Sequence, residues 1–258
     1  MPTVPSLHHA RRHATFARSW HLLRSFPLEQ AQPDVFYSAL AADTYTQLDA
    51  LSRDLRGQDL RDASVLDVGG GPGYFADAFS DSHYVSVEPS PTELHAAGLS
   101  TPSAIRADGR ALPFATDTFD LVYSSNVAEH VSDPWQMGEE MIRATKPGGL
   151  VVLSYTIWLG PFGGHETGLW QHYIGGEWAR DRYTRVHGHP PKNVFGESLF
   201  DVSCAEGIRW ARSVSGATCV GLFPRYHPKW AWWLVNVPVL REFLVSNLVI
   251  VIQKNRQI

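Results

Sequence analysis

The chain has 258 residues, 44% of them hydrophobic and 19% charged, which suits one large domain with a sizeable core and argues against disorder. Its net charge of −4 is uneven: residues 1–24 and residues 224–258 each carry +4, which leaves −12 for the body between them. An acidic body without a basic groove argues against a nucleic-acid enzyme, while basic ends point either to an anionic membrane face or to plain solvated termini.

The two cysteines, Cys204 and Cys219, have no spacing that suggests a metal knot and read as reduced, small apolar side chains, which fits the cytosol. The N-terminal region is basic but has no apolar run of the signal-peptide kind, so a cytoplasmic protein is expected. Residues 34–56 predict an amphipathic helix, with Val35, Phe36, Leu40, Leu48, Leu51 and Leu55 at near-helical spacing between Pro33 and Gly57. Residues 1–60 thus read as a helical cap ahead of a main domain at 61–258.

From residue 64 short apolar runs alternate with helical segments, the pattern of βα units on a parallel sheet. Strands are predicted at Ser64–Val68, Tyr84–Glu88, Phe119–Ser125 and Leu150–Tyr155, with later ones near Thr218–Phe223 and at Leu248–Gln253. Ser90-Pro91-Thr92-Glu93 predicts a capped helix start, and Asp133-Pro134 opens another helix that runs to Pro147-Gly148-Gly149. Two segments break the rhythm and read as insertions: about 156–200, rich in Gly, His, Trp and Pro, and about 224–245, with Trp230, Trp232 and Trp233.

The segment Val65-Leu66-Asp67-Val68-Gly69-Gly70-Gly71-Pro72-Gly73 predicts a buried strand, a sharp glycine turn and then a helix. Glu88, 21 residues after Asp67, ends the next strand, where a carboxylate can accept bonds from two ribose hydroxyls. Gly71 to Ala76 also fits a dinucleotide G-x-G-x-x-A pattern, so these features alone leave NAD open. Asp67 tips the balance: directly before the glycines it would repel a pyrophosphate, and it suits the ammonium of a methionine moiety.

Asp67-x-Gly69-x-Gly71-x-Gly73 resembles the first motif of class I S-adenosylmethionine-dependent methyltransferases, and Glu88 matches their ribose-binding acid. Asp108-Gly109-Arg110-Ala111-Leu112-Pro113-Phe114 is similar to the family's D-x-x-x-L-P-F segment, which binds adenine through the Asp side chain and the following backbone. Phe119–Val122 and Lys146–Gly149 follow in the family's order, so the resemblance covers about residues 60–156 and is nearest to the small-molecule and lipid types with a Glu129-His130 pair. It implies S-adenosylmethionine (SAM) as cofactor and a Rossmann-like α/β fold with helices on both faces. The implied sheet has seven strands, six parallel and the last antiparallel.

Methyl transfer from a sulfonium needs aligned partners above all, and an oxygen acceptor can also need a base. His130, just past the fourth strand, is the candidate base or else a loop-packing residue, and Asn126 is placed at the methionine end. In the first insertion His165, Trp170 and His172 are candidates for the acceptor site. Trp158, Phe162 and Tyr173 suit an apolar acceptor or the core, and Glu166, His187 and His189 complete no recognised metal-ligand spacing, so no metal is expected. Between Lys229 and Arg241 lies a largely apolar run of eleven residues, too short to span a bilayer. The segment reads as an interfacial element or as a buried lid. The expected function is methylation, slightly favouring oxygen, of a small-molecule or lipid-like acceptor, with peripheral contact at the inner face of the membrane. The alternative is a non-catalytic SAM-binding module.

Overall fold

A computed structural model of the chain describes residues 6–95 and 103–256. Seven strands, β1 (Ser64–Val68), β2 (His83–Val87), β3 (Ala104–Ile105), β4 (Phe119–Ser125), β5 (Thr145–Thr156), β6 (Ala217–Pro224) and β7 (Asn247–Lys254), form one sheet in the order β3-β2-β1-β4-β5-β7-β6. Strands β1 to β5 pair in parallel, and β7 inserts antiparallel between β5 and β6. The strand order reverses between β1 and β4, and a ligand crevice in an open α/β sheet forms outside the carboxyl ends at such a point.

The strands are apolar almost throughout because both faces are covered. On one face Leu66, Val122, Val151, Leu153, Ile250 and Ile252 pack against α6 (Pro134–Ala144) and α8 (Cys204–Ser213). On the other, Val65, Leu121, Val152, Val249 and Val251 pack against α1 (His8–His13) and α4 (Pro33–Leu55). Helices α1 and α4 therefore form a layer on this face, with Leu48 and Leu51 sharing a core with β1 and β4; α2 (Phe16–Ser25) and α3 (Leu28–Ala31) lie between them in sequence, and α2 buries no residue.

Local chemistry sets the helix ends. Pro33 starts α4, whose Phe36, Leu40, Leu48 and Leu51 are buried while Val35 faces solvent. Asp54 of α4 accepts from the His9 and Ala10 amides, capping α1 from outside. Asp133 caps α6, and a full capping box of Ser203 and Glu206 opens α8. Ser90 Oγ accepts from the Glu93 amide at the start of α5 (Pro91–His95).

The helix expected after the glycine turn is a single 3-10 turn, Ala76–Phe79, because Ser80, Asp81 and Ser82 turn the chain into β2 at His83. Lys146–Gly149 opens β5 rather than ending a helix. The first insertion holds 3-10 turns at His165–Thr167 and Gln171–Tyr173 and then α7 (Gly176–His187). The second is a 3-10 helix, Lys229–Asn236, followed by α9 (Leu240–Leu244). Among the described residues no helix is long and apolar enough to cross a membrane.

Candidate active site

The glycine turn leaves the carboxyl end of β1 and folds back on β2, where the Val87 carbonyl accepts from the Gly69 and Gly70 amides. Gly69 has φ +86, and a Cβ there would lie 2.4 Å from Val127 Cγ2, so the loop after β4 can approach only a glycine. Gly71 has φ +54, and nothing lies within 4 Å of where its Cβ would be. The turn is thus packed on one side and open on the other, and Gly73, φ +92, closes it.

Asp67 is 3% exposed, and its Oδ2 accepts from the hydroxyls of Tyr84 on β2 and Tyr123 on β4, each at 2.8 Å. It ties three strands together directly beneath the turn. Burial outweighs these hydrogen bonds and pushes its pKa up to about 6, so the carboxylate is ionised at neutral pH but easily protonated. Nothing in the sequence marks the two tyrosines as its partners.

Glu88, at the tip of β2, accepts from the Gly71 amide at 3.3 Å and from the Ser90 amide at 3.0 Å, one bond on each oxygen. A carboxylate offers about four acceptor positions, so two remain. Burial raises its pKa. Asp108 is half-exposed and held by the Arg110 guanidinium, which lowers its pKa. Gly109 sits where any side chain would strike Val68 and Met137, so the Asp108 loop lies close on the end of β1. Asn126 follows β4 with a left-handed φ of 56°, accepts from Asn247 Nδ2 at 2.6 Å and donates to the Tyr226 hydroxyl.

Beyond Asn126 the chain makes a 3-10 turn, Ala128–His130. Glu129 is 1% exposed, and its Oε1 accepts from the Thr156 amide at 3.0 Å. His130 Nδ1 lies 2.7 Å from the Ser198 carbonyl, a contact that requires the Nδ1–H tautomer and leaves Nε2 as an acceptor. The His130 ring meets the His165 ring edge to face at 5.1 Å, so the first insertion reaches the end of β4. His165 takes a left-handed φ of 46°, and burial lowers its pKa to about 4, leaving a neutral ring.

The other two acceptor-site candidates are placed differently from each other. His172 is 1% exposed, hydrogen-bonded to the Gly160 carbonyl and packed against Trp158, so it belongs to the insertion's own core. Trp170 is on the outer surface beneath the Arg182 guanidinium. Glu166 pairs with Asn193, and His187 stacks on Tyr183. Sequence reasoning missed Arg225, which is buried at the end of β6 and donates to Ser125, Ser154 and Thr44. No run or motif around it signals that role. The depression lined by Arg56, Asp120, Lys146 and Arg256 lies at the opposite edge of the sheet, and Asp120 already pairs with Arg56 and Lys146 there.

The tryptophans of the second insertion divide. Trp232 is 7% exposed, stacks on Phe223 and has the Arg11 guanidinium over its ring, whereas Trp230 and Trp233 are 67% and 52% exposed. Phe243 and Leu244 are exposed too, and Phe243 meets Tyr173 of the first insertion, beside exposed Leu169 and Ile174. Of the nine cations in the basic ends, Arg18, Arg241 and Lys254 pair with Asp43, Glu242 and Asp117, and Arg225 is buried.

Residues 66–153 match the family described as a methyltransferase domain. An uncharacterised methyltransferase of Mycolicibacterium gilvum is 60% identical over 246 residues, covering 93% of this chain and 95% of its own length. One of Mycobacterium tuberculosis is 59% identical over 247 residues, covering 93% and 96%. Among solved structures, a SAM-dependent methyltransferase of Thermotoga maritima superposes with a TM-score of 0.53 at 18% identity over 92% of this chain and 100% of that one. One of Mesorhizobium loti gives 0.51 at 21% over 78% and 95%. The solved structures share the fold, and the close relatives settle the family: the chain belongs to the class I S-adenosylmethionine-dependent methyltransferases.

Proposed function

We propose that this methyltransferase acts on a small-molecule acceptor of lipid-like character, with oxygen favoured as the atom methylated, at the surface of an anionic membrane. The observation that carries the lipid-like part is the set of exposed apolar side chains Trp230, Trp233, Phe243 and Leu244, joined to the first insertion by the Phe243–Tyr173 ring contact. Exposed large apolar side chains gathered in this way are a feature of interaction surfaces. Arg24 over Trp20 and Arg182 over Trp170 add cation–aromatic pairs at the exposed side, which suits a headgroup layer. Because four of the nine terminal cations have internal partners or are buried, the apolar contact outweighs the charge attraction in this reading.

The residues present fit the cofactor. The open side of Gly71, the two free acceptor positions of Glu88 and the half-exposed Asp108 lie on adjoining strand ends and loops, as a nucleoside requires. In this reading Glu88 takes the ribose hydroxyls, Asp108 and Gly109 the adenine, and the Gly69–Gly73 turn and Asn126 the methionine end. Asp67 acts from beneath as a buried negative charge. SAM supplies a methyl group already activated by its sulfonium. The chain's work is alignment, worth roughly 7–11 kcal/mol in favourable cases, and removal of the acceptor's proton toward His130 Nε2.

The test is transfer of labelled methyl from SAM to a lipid extract and, separately, to an aqueous metabolite extract. Label is expected in the lipid products, and His130→Ala should lower the rate by about 10²–10⁴-fold while affinity for S-adenosylhomocysteine holds. Label confined to aqueous products defeats the lipid reading, and an unchanged rate in the variant makes His130 a packing residue.

A further inference from the structure

Glu129, His130 and His165 bring a carboxylate and two imidazoles together at the carboxyl edge of the sheet, with one ligand atom from each lying within 4.8 Å of the others. We infer that these three side chains form a binding site for a first-row divalent metal ion, with zinc as the ion they fit best. The reading of the sequence found no ligand spacing because the third member stands 35 residues beyond the other two, in a separate insertion.

The first argument is what the trio lacks. Glu129 Oε2 and His165 Nε2 are both buried, and neither has a hydrogen-bond partner. A buried carboxylate oxygen left without a partner is costly, and such groups are almost always hydrogen-bonded or coordinated. The three side chains do not relieve one another by hydrogen bonds. A cation between them satisfies all three at once.

The second argument is how the ligands are held. The Thr156 amide fixes Glu129 through Oε1, and that leaves Oε2 turned away from its anchor. The Ser198 carbonyl fixes His130 through Nδ1, which orients Nε2 and selects the tautomer that can coordinate. Backbone groups on the far atom of a ligand are the usual outer shell of a metal site. Two imidazoles and a carboxylate suit zinc or a neighbouring transition ion, and three protein ligands leave a position open, as catalytic sites do. Donors around such an ion lie roughly 3–4 Å apart, so the present spread closes by side-chain rotation of under about 2 Å.

Bound there, the ion would pin the first insertion to the end of β4. Its open position would hold the acceptor's oxygen, a clause that rests on the acceptor proposed above, and His130 would then act as a ligand rather than as the proton acceptor itself. The metal would lower the acceptor's pKa in its place.

The experiment titrates the whole metal-stripped chain with zinc by calorimetry and with cobalt by visible absorption. One equivalent is expected, with a raised melting temperature because the ion binds only the folded chain. Glu129→Gln keeps an oxygen for the Thr156 amide, and His165→Ala removes a partly exposed loop side chain, so both should fold. Each should weaken zinc binding at least tenfold and abolish the cobalt bands, while His187→Ala with His189→Ala, on the exposed surface, should change neither. The proposal is overturned if neither ion binds, or if binding survives Glu129→Gln and His165→Ala but is lost with the surface pair. Stoichiometric zinc with no methyl transfer to either extract would instead fail the acceptor reading and leave the metal site standing.

Discussion

Arg225, at the end of β6, donates from Nη2 to Thr44 Oγ1 on α4 at 2.7 Å, across 181 residues of chain. Its Nη1 reaches Ser125 on β4 and Ser154 on β5, so one buried guanidinium joins three strands and a helix. Among the described residues no carboxylate lies in ion-pair range of it, so its charge is held by three hydroxyl groups and by the Tyr226 ring, 5.3 Å away.

A lysine at this position cannot span the serines on one side and the threonine on the other. Arg225→Lys should therefore destabilise the fold by about 2–4 kcal/mol, since bonds to a charged donor contribute about 1.5–3 kcal/mol each. Urea denaturation reads this directly. A change below about 0.5 kcal/mol would mean that the hydroxyls find other partners.

Asp67 gives a pH dependence of defined sign. Its folded pKa is raised from 3.8 to about 6, so its contribution to stability is fully present below about pH 4 and is lost as pH rises through 6. Asp67→Asn keeps an oxygen for Tyr84 and Tyr123 but cannot ionise. The variant should exceed the wild type by up to about 3 kcal/mol at pH 8 and match it at pH 4, while binding S-adenosylhomocysteine more weakly. A difference that does not change between the two pH values would show that burial is not what shifts Asp67.

The glycine turn separates two kinds of need. Gly71→Ala meets open space, so it should cost only the left-handed backbone penalty of about 1–2 kcal/mol while its methyl group blocks the cofactor. Gly69→Ala adds the collision with Val127, and Val127→Ala should recover part of that loss and none of the first. Paired melting curves and S-adenosylhomocysteine titrations of the four chains distinguish the cases. Equal rescue of both variants would show that the turn is uniformly packed.

The three tryptophans should behave differently. Trp232→Ala leaves a cavity against Phe223 and is expected to cost about 3–5 kcal/mol. Trp230→Ala with Trp233→Ala should leave stability within about 0.5 kcal/mol and weaken co-sedimentation with anionic vesicles by roughly tenfold. Wild-type binding in the double variant would remove the membrane from the proposal.

Much of this was legible in the sequence because it is local. Ser64–Val68 and Phe119–Ser125 are strands at the residues predicted, since a run of apolar residues closed by turn formers defines itself. Glu88 stands beside the glycine turn as its spacing implies. What stayed hidden is tertiary. Tyr84 and Tyr123 meet at Asp67 only because three strands lie in register, and Arg225 becomes buried only when α4 closes over the sheet. His172 and Trp170 have the composition of a binding loop, yet one lies inside the insertion and the other outside it. The helix after the glycines fails for a local reason that propensity underrated, the turn formers Ser80 to Ser82.

The place of β7 between β5 and β6 has a consequence for synthesis. Residues 247–254 must leave the ribosome before the sheet can close, since among the described residues β6 has no other partner strand and β5 lacks its second neighbour until then. Until β7 emerges the nascent chain therefore carries two unpaired strand edges, the condition in which chains aggregate or recruit chaperones. Stalling the ribosome with these eight residues still in the tunnel would hold the protein in that open form.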